Sequence, residues 1–192
     1  MLVHKEKFKF LQDYVESKVP PLALKVIKHM NEKDPITLTK GEKAPNFSLP
    51  AINSDGTEIE IKLNEELVSK KVLLVFYQDD GMPICTNTLN AFSQEHTLLK
   101  DAGIAVFGIN SNGLGSHKRF QERDCFPFPL ISDFHGEVIQ SFGLWNADEQ
   151  KSFRSIVVID QNQTILHIEP HFNPSNLNAY AAIFETLELT ET

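Results

Sequence analysis

The sequence predicts an α/β fold with a mixed central sheet and helices on both of its faces. Three observations carry that expectation. The apolar runs Val72–Tyr77 and Ile104–Ile109 read as buried strands. The stretch between them has apolar residues at helical spacing, which makes a strand–helix–strand unit. Hairpin patterns lie on either side of this unit, and hairpins add antiparallel partners to a parallel pair.

The elements follow in order. Residues 1–40 carry Phe10, Leu11, Tyr14, Val15 and then Leu22, Leu24, Val26, Ile27, split by Pro20-Pro21. That pattern predicts two amphipathic helices, a helical N-terminal extension to a main domain of residues 41–192. Phe47 and Leu49, the turn signal Asn53-Ser54-Asp55-Gly56, and the alternation Ile59, Ile61, Leu63 predict the first hairpin. The strand ending at Tyr77 is followed by a helix with a buried stripe of Leu89, Phe92, His96 and Leu99, stopped at Gly103. After the strand Ile104–Ile109, a polar helix is expected over Ser116–Arg123 and a short extended piece over Pro127–Ile131. Ile156–Ile159 and Ile165–Ile168 flank Asp160-Gln161-Asn162-Gln163 as the second hairpin, and Leu177–Leu189 closes the chain as an amphipathic helix.

Bulk properties narrow the function. The chain has 192 residues, 41% hydrophobic and 23% charged, with a net charge of −8. This balance predicts a globular protein, and the missing basic stripe argues against a nucleic-acid partner. No apolar run reaches membrane-spanning length. Met1-Leu2-Val3-His4-Lys5-Glu6-Lys7 lacks the apolar region of a secretory signal. Two cysteines far apart do not make a disulfide scaffold, so a cytoplasmic location with reduced thiols is expected.

The chemistry points to Cys85, where Pro83 pre-sets the first turn of a helix. An unperturbed thiol of pKa about 8.5 is only ~3% ionised at pH 7. The helix start offers unpaired N–H groups and the positive end of the helix dipole, and both favour the nucleophilic thiolate.

Gly41-Glu42-Lys43-Ala44-Pro45 near the start, Phe76-Tyr77 with Asp80, Pro83 and Cys85-Thr86, and Phe153-Arg154-Ser155 further on stand in a set order. With these landmarks residues 40–168 resemble a peroxiredoxin of the alkyl hydroperoxide reductase C/thiol-specific antioxidant family, nearest the bacterioferritin comigratory protein branch. Gly41-Glu42-Lys43-Ala44-Pro45-Asn46-Phe47-Ser48-Leu49 resembles the family's opening. Phe76-Tyr77 with Asp80, Pro83 and Cys85-Thr86 resembles its active-site loop. Ser116-His117-Lys118 with Phe120, Pro127-Phe128-Pro129-Leu130 with Ser132-Asp133, and Phe153-Arg154-Ser155-Ile156-Val157-Val158-Ile159-Asp160 resemble later landmarks. The resemblance implies a thioredoxin-like fold and a thiol-dependent peroxidase acting on hydrogen peroxide or organic hydroperoxides. It implies Cys85 as nucleophile, Arg154 as its cation, and a pocket of Tyr77, Gln78, Met82 and Pro83. It implies no metal, flavin or nucleotide cofactor, electrons from thioredoxin or a small thiol, and a homodimer.

The pattern departs in places. Gln78 stands for the loop's proline, Met82 for its threonine or serine, and Thr88 for a glutamate common in relatives. Loss of the hydroxyl predicts slower or differently specific chemistry. The alternative is a catalytically weakened redox sensor or binding module of thioredoxin fold. The branch's resolving position is Asn90, which leaves Cys125 either as resolving cysteine or as a buried structural thiol, with a one-cysteine mechanism equally open. Asp80 is expected to face solvent and cap the Pro83 helix. His117 and His135 are expected at the surface. His167-Ile168-Glu169-Pro170-His171 has metal-ligand types in alternation but is interrupted by Pro170, and chance on a strand edge explains it. Asn112-Gly113-Leu114-Gly115 reads as a turn before a helix.

Overall fold

The computed structural model describes residues 38–189, so the predicted N-terminal extension falls, but for its last residues, outside the described part. The first hairpin forms as expected: β1 (Ser48–Ile52) pairs antiparallel with β2 (Glu58–Lys62). Its turn needs Gly56, whose φ of +82° is the left-handed region that side chains avoid. Leu63 begins a single-turn helix, α1 (Leu63–Glu66), instead of ending the strand.

Strand β3 (Lys71–Phe76) leads through a loop into α2 (Pro83–Gln94) and α3 (His96–Asp101). One continuous helix was expected here. The backbone leaves helical geometry at Glu95, so His96 opens a second helix and is only half-buried, while Leu99 is buried. Next come β4 (Ile104–Asn110), α4 (Leu114–Asp124), β5 (Leu130–Ser132) and α5 (Glu137–Ser141). A two-stranded ribbon of β6 (Trp145–Asn146) and β7 (Lys151–Ser152) precedes the hairpin of β8 (Ser155–Ile159) and β9 (Ile165–Glu169). Helix α6 (Leu177–Thr186) ends the domain, its start capped by the side chain of Asn176.

Seven strands make one sheet in the order β2-β1-β5-β4-β3-β8-β9. The β3–β4 and β4–β5 pairs are parallel and the others antiparallel, so the sheet is mixed. Alternation along β3 assigns each face. Leu73, Val75 and Tyr77 pack with Cys85, Leu89 and Phe92 of α2, Phe120 of α4 and Ile183 of α6. Val72, Leu74 and Phe76 pack with Leu63 of α1, with Ile139 of α5 and with Phe142 at the end of α5. Both faces are covered, which is why the central strands are apolar on both sides.

Candidate active site

The site forms where the last residue of β3 lies beside the first residue of the antiparallel β8. Phe76 is paired with Ser155, which sets Tyr77 beside Arg154 across the sheet edge. Ile156 and Val158 pack on the face that holds Cys85, and the same alternation carried back one step puts Arg154 on that face. The backbone there is anchored by Phe172, whose N–H donates to the Arg154 carbonyl at 2.6 Å.

Cys85 occupies the first turn of α2, two residues after Pro83. Met82 is the N-cap, and no side chain caps the helix, so the first-turn N–H groups are left for the sulfur or its ligands. The Cys85 side chain is wholly buried among Tyr77, Leu89, Ile156 and Phe172, with Met82 and Ile84 packed against the same cluster.

The loop before it is held by a buried polar network. The Asp80 carboxylate lies 2.9 Å from Nδ1 of His117, accepts from the Tyr77 hydroxyl at 2.9 Å and accepts from Nδ2 of Asn110 at 3.2 Å. Nε2 of His117 faces the carbonyl of Ile131 at 3.1 Å, so that nitrogen carries the hydrogen, an assignment made from its partner. Asp80 therefore does not cap α2 from solvent, and His117 is fully buried instead of exposed. His135 is exposed as expected. Burial pushes the Asp80 carboxyl up, but the hydrogen bond and charge of His117, with Ser116 and Tyr77, outweigh it and hold the group below its ordinary range. Tyr77 is driven well above its ordinary value by burial first and then by Asp80 and Cys85.

The four predicted pocket residues divide. Tyr77 and Met82 belong to the Cys85 cluster, and Pro83 faces solvent at the helix start. Gln78 is engaged elsewhere: its amide oxygen accepts from Nη1 of Arg154, and its amide nitrogen donates to Glu149 at 2.9 Å. Nε of Arg154 is buried without a partner, an N–H left available to a ligand oxygen. Thr88 gives its hydroxyl to the Ile84 carbonyl at 2.9 Å within its own helix.

Sequence reasoning missed Lys151. Its ammonium pairs with Asp79, which raises its affinity for the proton against the opposing effect of burial, and it feels the charges of Glu149 and Cys85 as well. No local signal marks it, because the ribbon that delivers it is too short to have a period. Cys125 is the other surprise. It caps α4 in the left-handed conformation, φ +54°, and is exposed, so the buried structural role is corrected. It escapes burial because the helix ends at this residue, and its neighbour Phe126 turns into the core in its place. Arg123, two residues earlier, lies against the Cys85 loop: its Nη1 is 3.2 Å from where a Cβ on Gly81 would stand. Asn112 and Gly113 form the turn into α4. Among the described residues, no group of three or more His, Cys, Asp or Glu is placed to hold a metal ion, and no helix is long and apolar enough to cross a membrane.

The profile of the AhpC/TSA family matches residues 40–168. The chain is 31% identical over 148 residues to "Peroxiredoxin Bcp" of Escherichia coli (strain K12), covering 72% of this chain and 90% of that one. It is 30% identical over 134 residues to the spinach "2-Cys peroxiredoxin BAS1, chloroplastic", covering 66% of this chain and 50% of the relative. In structure it is similar to "Peroxidoxin BcpB" from Mycobacterium tuberculosis, with a TM-score of 0.67 and 24% identity over 81% of this chain and 99% of that one. It is also similar to the reduced 2-Cys peroxiredoxin of Plasmodium vivax, with a TM-score of 0.70 and 20% identity over 79% and 97%.

Proposed function

This chain belongs to the AhpC/TSA family and is a peroxiredoxin-type thiol peroxidase of thioredoxin-like fold, and we propose that Cys85 is its nucleophile and Arg154 the cation that serves it. What supports this reading is a buried cysteine at an uncapped helix start on the sheet face to which the strand alternation assigns Arg154, just before β8, whose buried Nε–H has no partner. The Cys85 thiolate attacks one oxygen of the peroxide, ROOH. An S–O bond forms, the O–O bond breaks, and two electrons pass from sulfur to the leaving oxygen. That oxygen takes a proton and departs as water or an alcohol, leaving the sulfenic acid. Helix-start N–H groups and the free guanidinium N–H stabilise the charge on the leaving oxygen.

Cys125 is the proposed resolving thiol. It is free and exposed, and its helix end reaches the Cys85 loop through Arg123. Cys85 is enclosed, so its turn must open before the two sulfurs meet. A thiol reductant, thioredoxin or a small thiol, then returns the two electrons, and the reduced thiols this requires suit a cytoplasmic setting. The helical extension before residue 41 and a homodimer complete the proposal.

The test is stopped-flow reaction with hydrogen peroxide. A second-order rate well above that of free cysteine, abolished in Cys85→Ser, supports the reading. A rate no faster than free cysteine overturns it and favours the sensor or binding module.

A further inference from the structure

Gln78 replaces the proline of the family pattern, and its side chain is hydrogen-bonded at both ends. The amide oxygen takes a hydrogen from Arg154 Nη1, and the amide nitrogen gives one to Oε2 of Glu149. Glu149 lies in the turn between β6 and β7, and Lys151 of the same ribbon pairs with Asp79. Two consecutive loop residues, Gln78 and Asp79, are thus clasped to one ribbon, and the first of them also holds the guanidinium. Proline has no side-chain donor or acceptor, so the bridge exists because of the departure. Thr88, the other polar departure on the Cys85 helix, is turned to the Ile84 carbonyl. Among the described residues, the guanidinium's hydrogen bond goes to Gln78.

A free arginine side chain samples many rotamers, and holding it in one place costs that freedom. A donor helps a developing charge most when it is already in place, since no reorganisation is then required during reaction. A charge-assisted hydrogen bond from a residue that is itself tied to a second element supplies that order. We propose that Gln78 is a positioning residue: its amide bridges Arg154 to Glu149 of the β6–β7 ribbon and so fixes the guanidinium at the Cys85 site. This rests on the reading that Cys85 is the nucleophile and Arg154 its cation. Both ends of the Gln78 amide are taken up by Arg154 and Glu149, so its role is exerted through the arginine. The ribbon is part of the device, because removal of Glu149 leaves the amide with only one of its two anchors.

The experiment compares full-length wild type with Gln78→Ala, Gln78→Glu, Arg154→Lys and the double variant Gln78→Ala/Arg154→Lys. It reads the second-order rate with hydrogen peroxide and the emission of Trp145, the chain's single tryptophan, which sits in β6. Gln78→Ala is expected to slow the reaction about tenfold, the loss of one hydrogen bond to a charged group. Gln78→Glu keeps an acceptor for Arg154 but repels Glu149. It is expected to recover most of the rate while shifting Trp145 emission, a separation that a general loss of structure does not produce. In the Arg154→Lys background the alanine change is expected to add less than twofold. A Gln78→Ala rate within twofold of wild type, or the same tenfold loss in the lysine background, overturns the inference while leaving the peroxidase reading intact. A wild type no faster than free cysteine overturns both.

Discussion

The carboxylate of Asp80 sits 2.9 Å from Nδ1 of His117, with the imidazole fully buried and the carboxylate nearly so. The contact lies beneath the loop that leads to Cys85. The histidine's other nitrogen is tied to the backbone of β5 and the carboxylate to Tyr77 and Asn110, so the pair connects four elements around the site.

That arrangement makes stability depend on acid in a defined direction. Asp80 is held below its ordinary 3.8 in the folded protein. Its contribution is therefore fully present above the unfolded value and is lost as pH falls through the lower folded value, a window below about pH 4. Urea unfolding of the wild type is expected to weaken across this window, and Asp80→Asn is expected to flatten that part of the curve. An Asp80→Asn profile parallel to wild type removes the pair from the account. His117→Ala, which leaves the carboxylate buried without its main partner, is expected to cost about 3–5 kcal/mol.

Met82 is the N-cap of α2 and packs its side chain on the core. Met82→Thr places a hydroxyl at the helix start beside Cys85, where it can serve as a donor to the peroxide. By analogy with the removal of single oxyanion donors, the peroxide rate is expected to rise, by up to ~10²-fold. An unchanged or lower rate shows that the missing hydroxyl is not what limits the reaction.

Cys125 is exposed and Cys85 is enclosed. A bulky maleimide is expected to label Cys125 first in the native protein. Mass spectrometry after one equivalent of peroxide is expected to find a Cys85–Cys125 linkage, replaced in Cys125→Ser by a persistent Cys85 sulfenic acid. A wild type that keeps the sulfenic acid and forms no linkage establishes a one-cysteine mechanism.

Gly108 of β4 faces the underside of the site. A Cβ there would stand 2.8 Å from Cδ2 of Leu130, 3.2 Å from Cε1 of Tyr77 and 3.3 Å from Cδ2 of Leu89. Gly108→Ala is expected to destabilise by about 1–3 kcal/mol, read as a lower urea midpoint at unchanged slope. The same change also presses on Tyr77 and is expected to slow the peroxide reaction. A midpoint equal to wild type means that the neighbours move aside freely.

The amino-acid order alone determined the sheet, the main helices and the placing of Cys85 at a helix start. Apolar periods of two and 3.6 residues are local and survive in the text of the chain, as does Pro83 at the first turn. Helices α1 and α5 and the β6–β7 ribbon were invisible because four or five residues, or two, are too few to establish a period. Polar partnerships were decided by tertiary structure. Gln78 and Arg154 meet across 76 positions of sequence, and Asp80 and His117 across 37. A glutamine, an aspartate or a histidine reads as a surface residue until distant strands bring a partner to it. Folding hides that polar group from water only where a donor or acceptor waits, and this complementarity belongs to the assembled sheet and its loops instead of to any single segment.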